Sequence, residues 1–498
     1  MLTRLLLCSS NESSVTLREL GSLASVILVL FALLYRLLHV PVTASPKHGH
    51  SPPTLQLPSW KITQSFFEKR FDFIQHGFKA TSSFIYQTTL FRHDAIVLSG
   101  DKGRQIFFKE KGLDLYDTFS IMMGSSAAKF NHHQVSGIVR RMASIQRPES
   151  LQKLIPFLLS DCQRIMESWG SERILDPCSS LHEITFQLVM RNASSDMADS
   201  PILLSRLKPL VDGVDSIANP YSTWFPWLPG PIFFQKFSCS IRIYRMVQMA
   251  VQARKKSTTK RDDMLQQMID DGESTAQIFG FVLGLSLAGS RATGTIVTWL
   301  IMQLCSNAKW YLAVHGEIKT LISTYTSAPP SVSGAALTQA LSEIPLTAWE
   351  SQTPNLDLCI RETLRTSQPY TAVRKNTGPD LTIGPYTIPS GSLVVYPFSD
   401  TALNPSLHFD PFCWDPSRTS TKETPFIGWG AGKHACKGQR LGTLNIKLVV
   451  ASAIMQFNIT LVDGQGAKMN NPPLPDWNDS ATCRPQEACG IKVVKKPE

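Results

Sequence analysis

Cys436 sits in the run Trp429-Gly430-Ala431-Gly432-Lys433-His434-Ala435-Cys436-Lys437-Gly438, immediately before a stretch of apolar residues. Sulfur binds metals as the thiolate, and the residue types around Cys436 are those that would hold it ionised. Glycines at 430, 432 and 438 let the backbone turn tightly and aim amide N–H groups at the sulfur. From Gln439 to Phe457, Leu441, Leu444, Leu448 and Ala451 recur at helical spacing, which puts a helix N-terminus beside Cys436 and favours its negative charge. A loop this tight suits a flat porphyrin, with Lys433 and His434 supplying charge for propionates. A thiolate below haem iron pushes electron density that favours O–O cleavage. A lone cysteine is more often a small buried hydrophobe; here the spacing argues for the ligand.

The stretch resembles the haem-binding signature of the cytochrome P450 family: an aromatic residue, then Gly, then Cys, then Gly. Trp429 stands where Phe is usual and Lys437 where an apolar residue is usual. Other segments follow in the family's order. Glu362-Thr363-Leu364-Arg365 places two charges on one helix face. Asp410 to Arg418 is similar to the meander before the haem loop, and the resemblance implies that Arg418 completes a buried triad with Glu362 and Arg365. Between them, the run from Leu381 to Val395 alternates with Gly and Pro and reads as short hairpins. The resemblance also implies that Arg374 contacts a haem propionate and that Ser367 to Val373 lines the substrate pocket; the alternative for Arg374 is a surface strand. Arg140 and Arg141 lie on a predicted helix where the family often uses an arginine to hold a propionate; the register leaves either able to serve, and Arg140 is taken as the candidate. The adjacent His132 and His133 point apart on a helix and lack partner ligands, and Cys483 and Cys489 fit no zinc pattern.

The apolar run from Thr275 to Leu304 is long enough to span a membrane, but Arg291 near its middle would be costly in lipid. We expect a central buried helix over the haem, with Ala288-Gly289 as the family's small pair leaving room for dioxygen and substrate. The family usually follows that pair with an acid and a threonine that relay protons. This chain has Arg291 and Ala292 there, followed by Thr293. Thr293 could supply the hydroxyl, or ordered water or substrate could; it could also bond back to the Gly289 carbonyl. Arg291 could meet a substrate carboxylate or pair with a protein acid. Two chemistries stay open: a monooxygenase with an adjusted relay, which we favour, and an isomerase or dehydratase needing no external electrons. A haem sensor or carrier is the non-catalytic alternative.

The segment Leu20 to Leu38 has the length and apolarity of a membrane anchor. We expect residues 1–42 as terminal segment and anchor, 43–60 as a proline-rich hinge, and 61–498 as one catalytic domain. The basic residues that follow the span place the domain on the cytosolic side of the endoplasmic reticulum membrane, with Asn11 a lumenal glycosylation acceptor and Asn192, Asn458 and Asn478 silent. Ten cysteines without a regular framework agree with a reducing compartment. In the Pro- and Trp-rich run from Asn219 to Phe234 the prolines are expected to prevent regular helix, and the aromatic side chains suit a membrane interface beside a substrate entrance; the alternative is an aromatic loop packed on the core. The charged stretch Arg254–Glu273 and the Ser/Ala/Pro-rich stretch Thr324–Pro345 read as surface connections. A net charge of +10 suits an acidic membrane or electron-donor protein and, with basic residues scattered, does not indicate nucleic acid. No flavin or dinucleotide motif occurs. The resemblance therefore implies a mainly α fold with a minor β region, haem b bound through Cys436, and electrons from NADPH through a separate cytochrome P450 reductase. An apolar substrate of terpenoid, sterol or alkaloid type, in filamentous-fungal secondary metabolism, is expected by analogy.

Overall fold

The computed structural model describes residues 50–498 apart from 92, 117, 119–131, 216–229, 330–331, 369, 403–408, 415–425, 481 and 498. The anchor from Leu20 to Leu38, the Asn11 acceptor, residues 43–49 of the proline-rich hinge, Trp224 and Trp227, and Arg418 therefore lie outside the described residues.

Helices α1 (Ser59–Glu68) and α2 (Arg70–Thr81) precede strands β1 (Ile85–Leu90) and β2 (His93–Leu98), then α3 (Gly100–Lys109) and β3 (Leu113–Asp114). Next come α4 (His132–Ile145), α5 (Pro148–Glu167), β4 (Glu172–Leu175), α6 (Pro177–Ala193), α7 (Pro201–Asp215), α8 (Pro231–Lys256), α9 (Met264–Asp270) and the long α10 (Thr275–Ser306). Helices α11 (Ala308–Tyr325), α12 (Gly334–Glu343), α13 (Leu346–Ser351) and α14 (Pro354–Thr366) lead into β5 (Thr371–Asn376), β6 (Leu381–Ile383), β7 (Tyr386–Ile388) and β8 (Leu393–Pro397). Helix α15 (Gln439–Gln456) and strands β9 (Phe457–Asp463) and β10 (Cys489–Lys495) complete the order.

Proline at the first turn, where its missing N–H costs nothing, opens α5, α6, α8 and α14. Helix α10 opens with a capping box between Ser274 and Gln277. It is long and apolar enough to cross a bilayer, but it packs inside the domain, with residues Gly294 to Met302 all buried. Its glycines let α6 approach closely: a Cβ on Gly294 would lie 2.1 Å from His182 Cδ2, and one on Gly289 3.2 Å from Val189 Cγ2. Helix α15 is buried continuously from Leu444 to Gln456, as expected of a core helix. Its Lys447 is buried too, satisfied by the Trp349 carbonyl at 2.8 Å, Thr353 Oγ1 at 2.9 Å and Asp357 at 2.7 Å.

The main sheet runs β1-β2-β8-β5-β3, with β2 parallel to β8 and the other pairs antiparallel. Successive residues of β8 face opposite ways: Leu393 and Val395 join a cluster with Phe66, Phe73 and Tyr86, whereas Val394 and Tyr396 join Phe107, Phe108 and Leu98. Pairing of Arg374 with Val394 places the arginine on this second side. The expected hairpins are β6–β7, paired Ile383 to Tyr386, and β8. Residues at the end of the hinge lie along β1, with Leu55 N donating to the Gln87 carbonyl at 2.8 Å.

Three sequence expectations change. Arg254–Glu273 is not a surface connection: Arg254 is buried in the last turn of α8, and α9 buries Met264, Leu265 and Met268. Thr324–Pro345 contains α12, which buries Leu337, Ala340 and Leu341. The prolines near Phe233 do not exclude helix, because Pro231 starts α8 and Phe233 and Phe234 belong to it.

Candidate active site

The loop before α15 is built by backbone constraints. Gly430 and Gly432 adopt φ of 71° and 66°, where a side chain is strained. A Cβ on Gly432 would also lie 2.1 Å from the Phe108 carbonyl oxygen. Cys436 N donates to the Trp429 carbonyl at 2.8 Å and closes the turn. Trp429 packs over Gly442, leaving only 3.4 Å from its Cη2 to a Cβ placed there. Burial pushes the Cys436 thiol above its ordinary pKa; a hydrogen bond from Gly438 N–H and the charge of Lys437 act in the opposite direction. Helix α4 clamps the loop from one side: Gln146 Nε2 donates to the Lys437 carbonyl at 2.5 Å, and Arg440 donates to the Gln146 carbonyl at 2.8 Å. Trp349, Glu350, Lys437 and Arg440 line a cleft of ≈430 Å³ that reaches Cys436.

Arg374 is buried, which excludes the surface-strand reading. Its guanidinium lies 4.3 Å from the centre of the Phe107 ring and donates to the Phe107 carbonyl. No carboxylate meets it among the described residues, and desolvation lowers its pKa to about 10. His434 Nε2 lies 3.2 Å from the Leu113 carbonyl. Burial first, and Arg374 second, hold its imidazole below the ordinary value. Lys433 is taken up by the Lys111 carbonyl at 2.6 Å. On α4, Arg141 is bound to Asp271 and Glu273, whereas Arg140 is exposed; the ambiguity between them leaves Arg140 as the available cation.

Glu362 is fully buried and meets Arg365 through two bonds, Nε to Oε2 at 2.8 Å and Nη2 to Oε1 at 2.7 Å. The Asp410 amide adds a third at 2.9 Å, and Cys413 Sγ a fourth contact at 3.5 Å. Planar, bidentate pairing is what makes a buried charge tolerable. The node thus ties α14 to the segment before the thiol loop; Arg418, the expected third member, lies outside the described residues.

The family model for cytochrome P450 matches residues 178–477. The chain belongs to the cytochrome P450 family. It is 25% identical to the cytochrome P450 monooxygenase AacuE of Aspergillus aculeatus over 81% of this chain and 84% of that protein. It is 26% identical to the cytochrome P450 monooxygenase dmxR5 of Cryptosporiopsis sp. over 74% and 75% of the two chains. Among solved structures, retinoic acid-bound cyanobacterial CYP120A1 shares the fold, with a TM-score of 0.66 at 20% identity, covering 90% of this chain and all of that one.

For a cytochrome P450 monooxygenase the residues present fit haem: an accessible thiol at a helix N-terminus, an amide aimed at its sulfur, and a buried guanidinium without a protein anion. On α10, Ala288 and Ala292 are the exposed positions between Phe281 and Leu300, one turn apart on one face. That corrects the expected small pair: Ala288 opens with Ala292, whereas Gly289 turns toward Val189 to admit α6. Thr293 is half-buried, and its hydroxyl bonds no group among the described residues, the Gly289 carbonyl included. Arg291 pairs with Asp215 at 2.6 Å and Asp212 at 3.4 Å, both on α7, so the protein-acid reading holds over the substrate carboxylate. Those two acids were not singled out in the sequence; their i, i+3 spacing on α7 was the available signal. Within Ser367–Val373, Tyr370 is the open residue and Ser367, Ala372 and Val373 are buried.

Proposed function

We propose that this cytochrome P450 inserts one oxygen atom of dioxygen into an apolar small molecule of secondary metabolism, of terpenoid, sterol or alkaloid type, drawing electrons from NADPH through a separate reductase. Haem, when bound, supplies dioxygen activation and oxygen transfer. The observation that carries the reading is Cys436 at the start of α15 with the Gly438 amide on its sulfur. Arg374, His434 and Arg140 hold and orient the group, Trp429, Gly432 and Gly438 shape the loop beneath it, and Glu362, Arg365 and Arg418 brace that loop. Ala288 and Ala292 leave space for the reacting carbon. Thr293 offers the hydroxyl through which a proton reaches the site, and Arg291, held by Asp215, keeps α7 against the centre of α10.

The exposed Lys437 beside the cleft at Cys436 suits an acidic reductase surface. Residues 1–42 would anchor the chain in the endoplasmic reticulum membrane with the domain in the cytosol. The exposed Phe234 and Phe237 at the start of α8 support a second membrane contact next to the Pro- and Trp-rich run.

The test is the reduced carbon-monoxide difference spectrum of microsomes carrying the protein. A red-shifted thiolate-type Soret band that disappears in Cys436→Ala is expected. Its absence from folded, haem-supplemented wild type would reject the reading. NADPH-dependent oxygen consumption with reductase then separates a monooxygenase from an isomerase or a carrier.

A further inference from the structure

Among the described residues, arginines withdrawn from solvent are almost all paired with acids. Arg104 meets Asp101, Arg141 meets Asp271 and Glu273, Arg191 meets Asp161, Arg254 meets Asp263, Arg291 meets Asp215, Arg365 meets Glu362, and Arg440 meets Glu350. Two are not. Arg374 has the haem edge to account for it; Arg70 has nothing assigned. At the start of α2, Arg70 donates from Nε to the Phe66 carbonyl at 3.1 Å, and its guanidinium sits 4.5 Å from the centre of the buried Phe66 ring. Neither contact offers a negative charge. The acids nearest in sequence are engaged elsewhere, Glu68 with Gln64 and Asp72 with Asn478. Desolvation lowers the Arg70 pKa to about 10, which leaves it fully charged at neutral pH. A half-buried, charged guanidinium without an anion is an open position for a ligand that supplies one.

The surroundings point to which ligand. Tyr370 is the group within electrostatic reach of Arg70, and it is also within reach of Arg374 and Cys436. Its ring packs edge-on to Phe398 at 5.1 Å, half its surface is open, and its hydroxyl bonds no group among the described residues. Next to Arg70, Phe71 packs on Trp477 at 5.5 Å, and the same C-terminal segment reaches α10, where Thr295 donates to the Thr482 carbonyl and Trp299 to the Cys483 carbonyl. Through Trp477, Thr482 and Cys483 the C-terminal segment thus touches both α2 and α10, the helix that carries Ala288 and Ala292.

We propose that Arg70, assisted by the Tyr370 hydroxyl, is an anion-recognition point for the substrate, and that the substrate is an apolar small molecule carrying a carboxylate or an acidic phenol. This rests on the monooxygenase reading and narrows its substrate class. The anion is held between α2 and Tyr370 while the apolar part extends toward α10. An Arg fork matches a carboxylate bidentately, and the Tyr370 hydroxyl can donate to the same anion.

The test uses the full-length haem protein and equilibrium dialysis with two probes that share one ring system and differ in charge, anthracene-2-carboxylate and its methyl ester, whose added methyl favours apolar binding. Wild type should bind the acid about 10- to 100-fold tighter than the ester, the worth of one charge-assisted hydrogen bond made out of water. Arg70→Gln should bring that ratio near one by weakening the acid and leaving the ester unchanged. Arg70→Lys should restore part of it, and Tyr370→Phe should reduce it less than Arg70→Gln. Equal binding of both probes by wild type, or a ratio that survives Arg70→Gln, overturns the proposal. So does loss of haem from Arg70→Gln with Arg374 intact, which would make Arg70 a propionate ligand. The carbon-monoxide spectrum of the same wild-type sample reports the haem-thiolate reading independently of the ratio.

Discussion

A hydroxyl moved by one position along a helix turns about 100° around its axis. Thr293 stands one residue after the place where the family's threonine is usual, and the structure leaves Ala292 open on the Ala288 face and Thr293 half-buried beside it. The Thr293 hydroxyl is nevertheless uncommitted among the described residues, so it is available to hold a proton or an ordered water. Thr293→Ala is expected to lower product formed per NADPH several-fold and to raise hydrogen peroxide release, with the carbon-monoxide band unchanged; Thr293→Ser should keep coupling. Equal coupling in wild type and the alanine variant would remove Thr293 from the relay. What was legible at this scale was local. Cys436 and its glycines, and Glu362 with Arg365, announce themselves within ten residues of sequence. Arg291 did not announce its partners, because Asp212 lies 79 residues away, and Arg70 carries no motif at all.

At the scale of elements, the contact between α6 and α10 depends on what is missing from their surfaces. Gly294 makes the notch that receives His182, a ring whose Nε2 is buried with no hydrogen-bond partner among the described residues and whose pKa is lowered to about 4, chiefly by burial and then by Lys208 and Arg291. The imidazole is therefore neutral at pH 7 and packs as a flat apolar plate. Gly294→Ala puts a methyl into that ring and should destabilise the domain by about 1–3 kcal/mol, the usual cost of overpacking a filled core. Denaturant unfolding followed by circular dichroism reads the change; a midpoint equal to wild type would show that α6 can shift freely. The long helices and the hairpin were readable from period and punctuation. Helix α9 was not, because its seven residues lie in a charged stretch, where too few apolar positions recur to reveal the buried Met264, Leu265 and Met268.

At the scale of the whole molecule, the net charge of +10 conceals an interior network of opposite charges. Arg191 joins Asp161 and Asp199, while Arg254 joins Asp196 and Asp263, so α5, α6, α8 and the start of α9 are tied together. Burial alone would raise the Asp263 pKa, but hydrogen bonds from Arg254, Ser195 and Gln266 bring it down to about 2. A carboxyl depressed in the folded state contributes stability above its unfolded pKa, near 3.9, and loses it as the pH falls through the folded value. Wild type should therefore exceed Asp263→Asn by about 3 kcal/mol at pH 5 to 7, and the gap should close as the pH approaches 2. Urea unfolding across that range measures it; a gap independent of pH would mean that Asp263 acts by shape and helix capping rather than by charge.

The bridge from Arg291 to Asp212 and Asp215 ties the residue type at the middle of α10 to those on α7. An acid at position 291 would set three carboxylates against one another, so that exchange calls for compensating changes at Asp212 and Asp215. The charge at position 291 and the two charges on α7 are therefore a matched set: exchanging one side alone leaves like charges facing each other across the middle of α10.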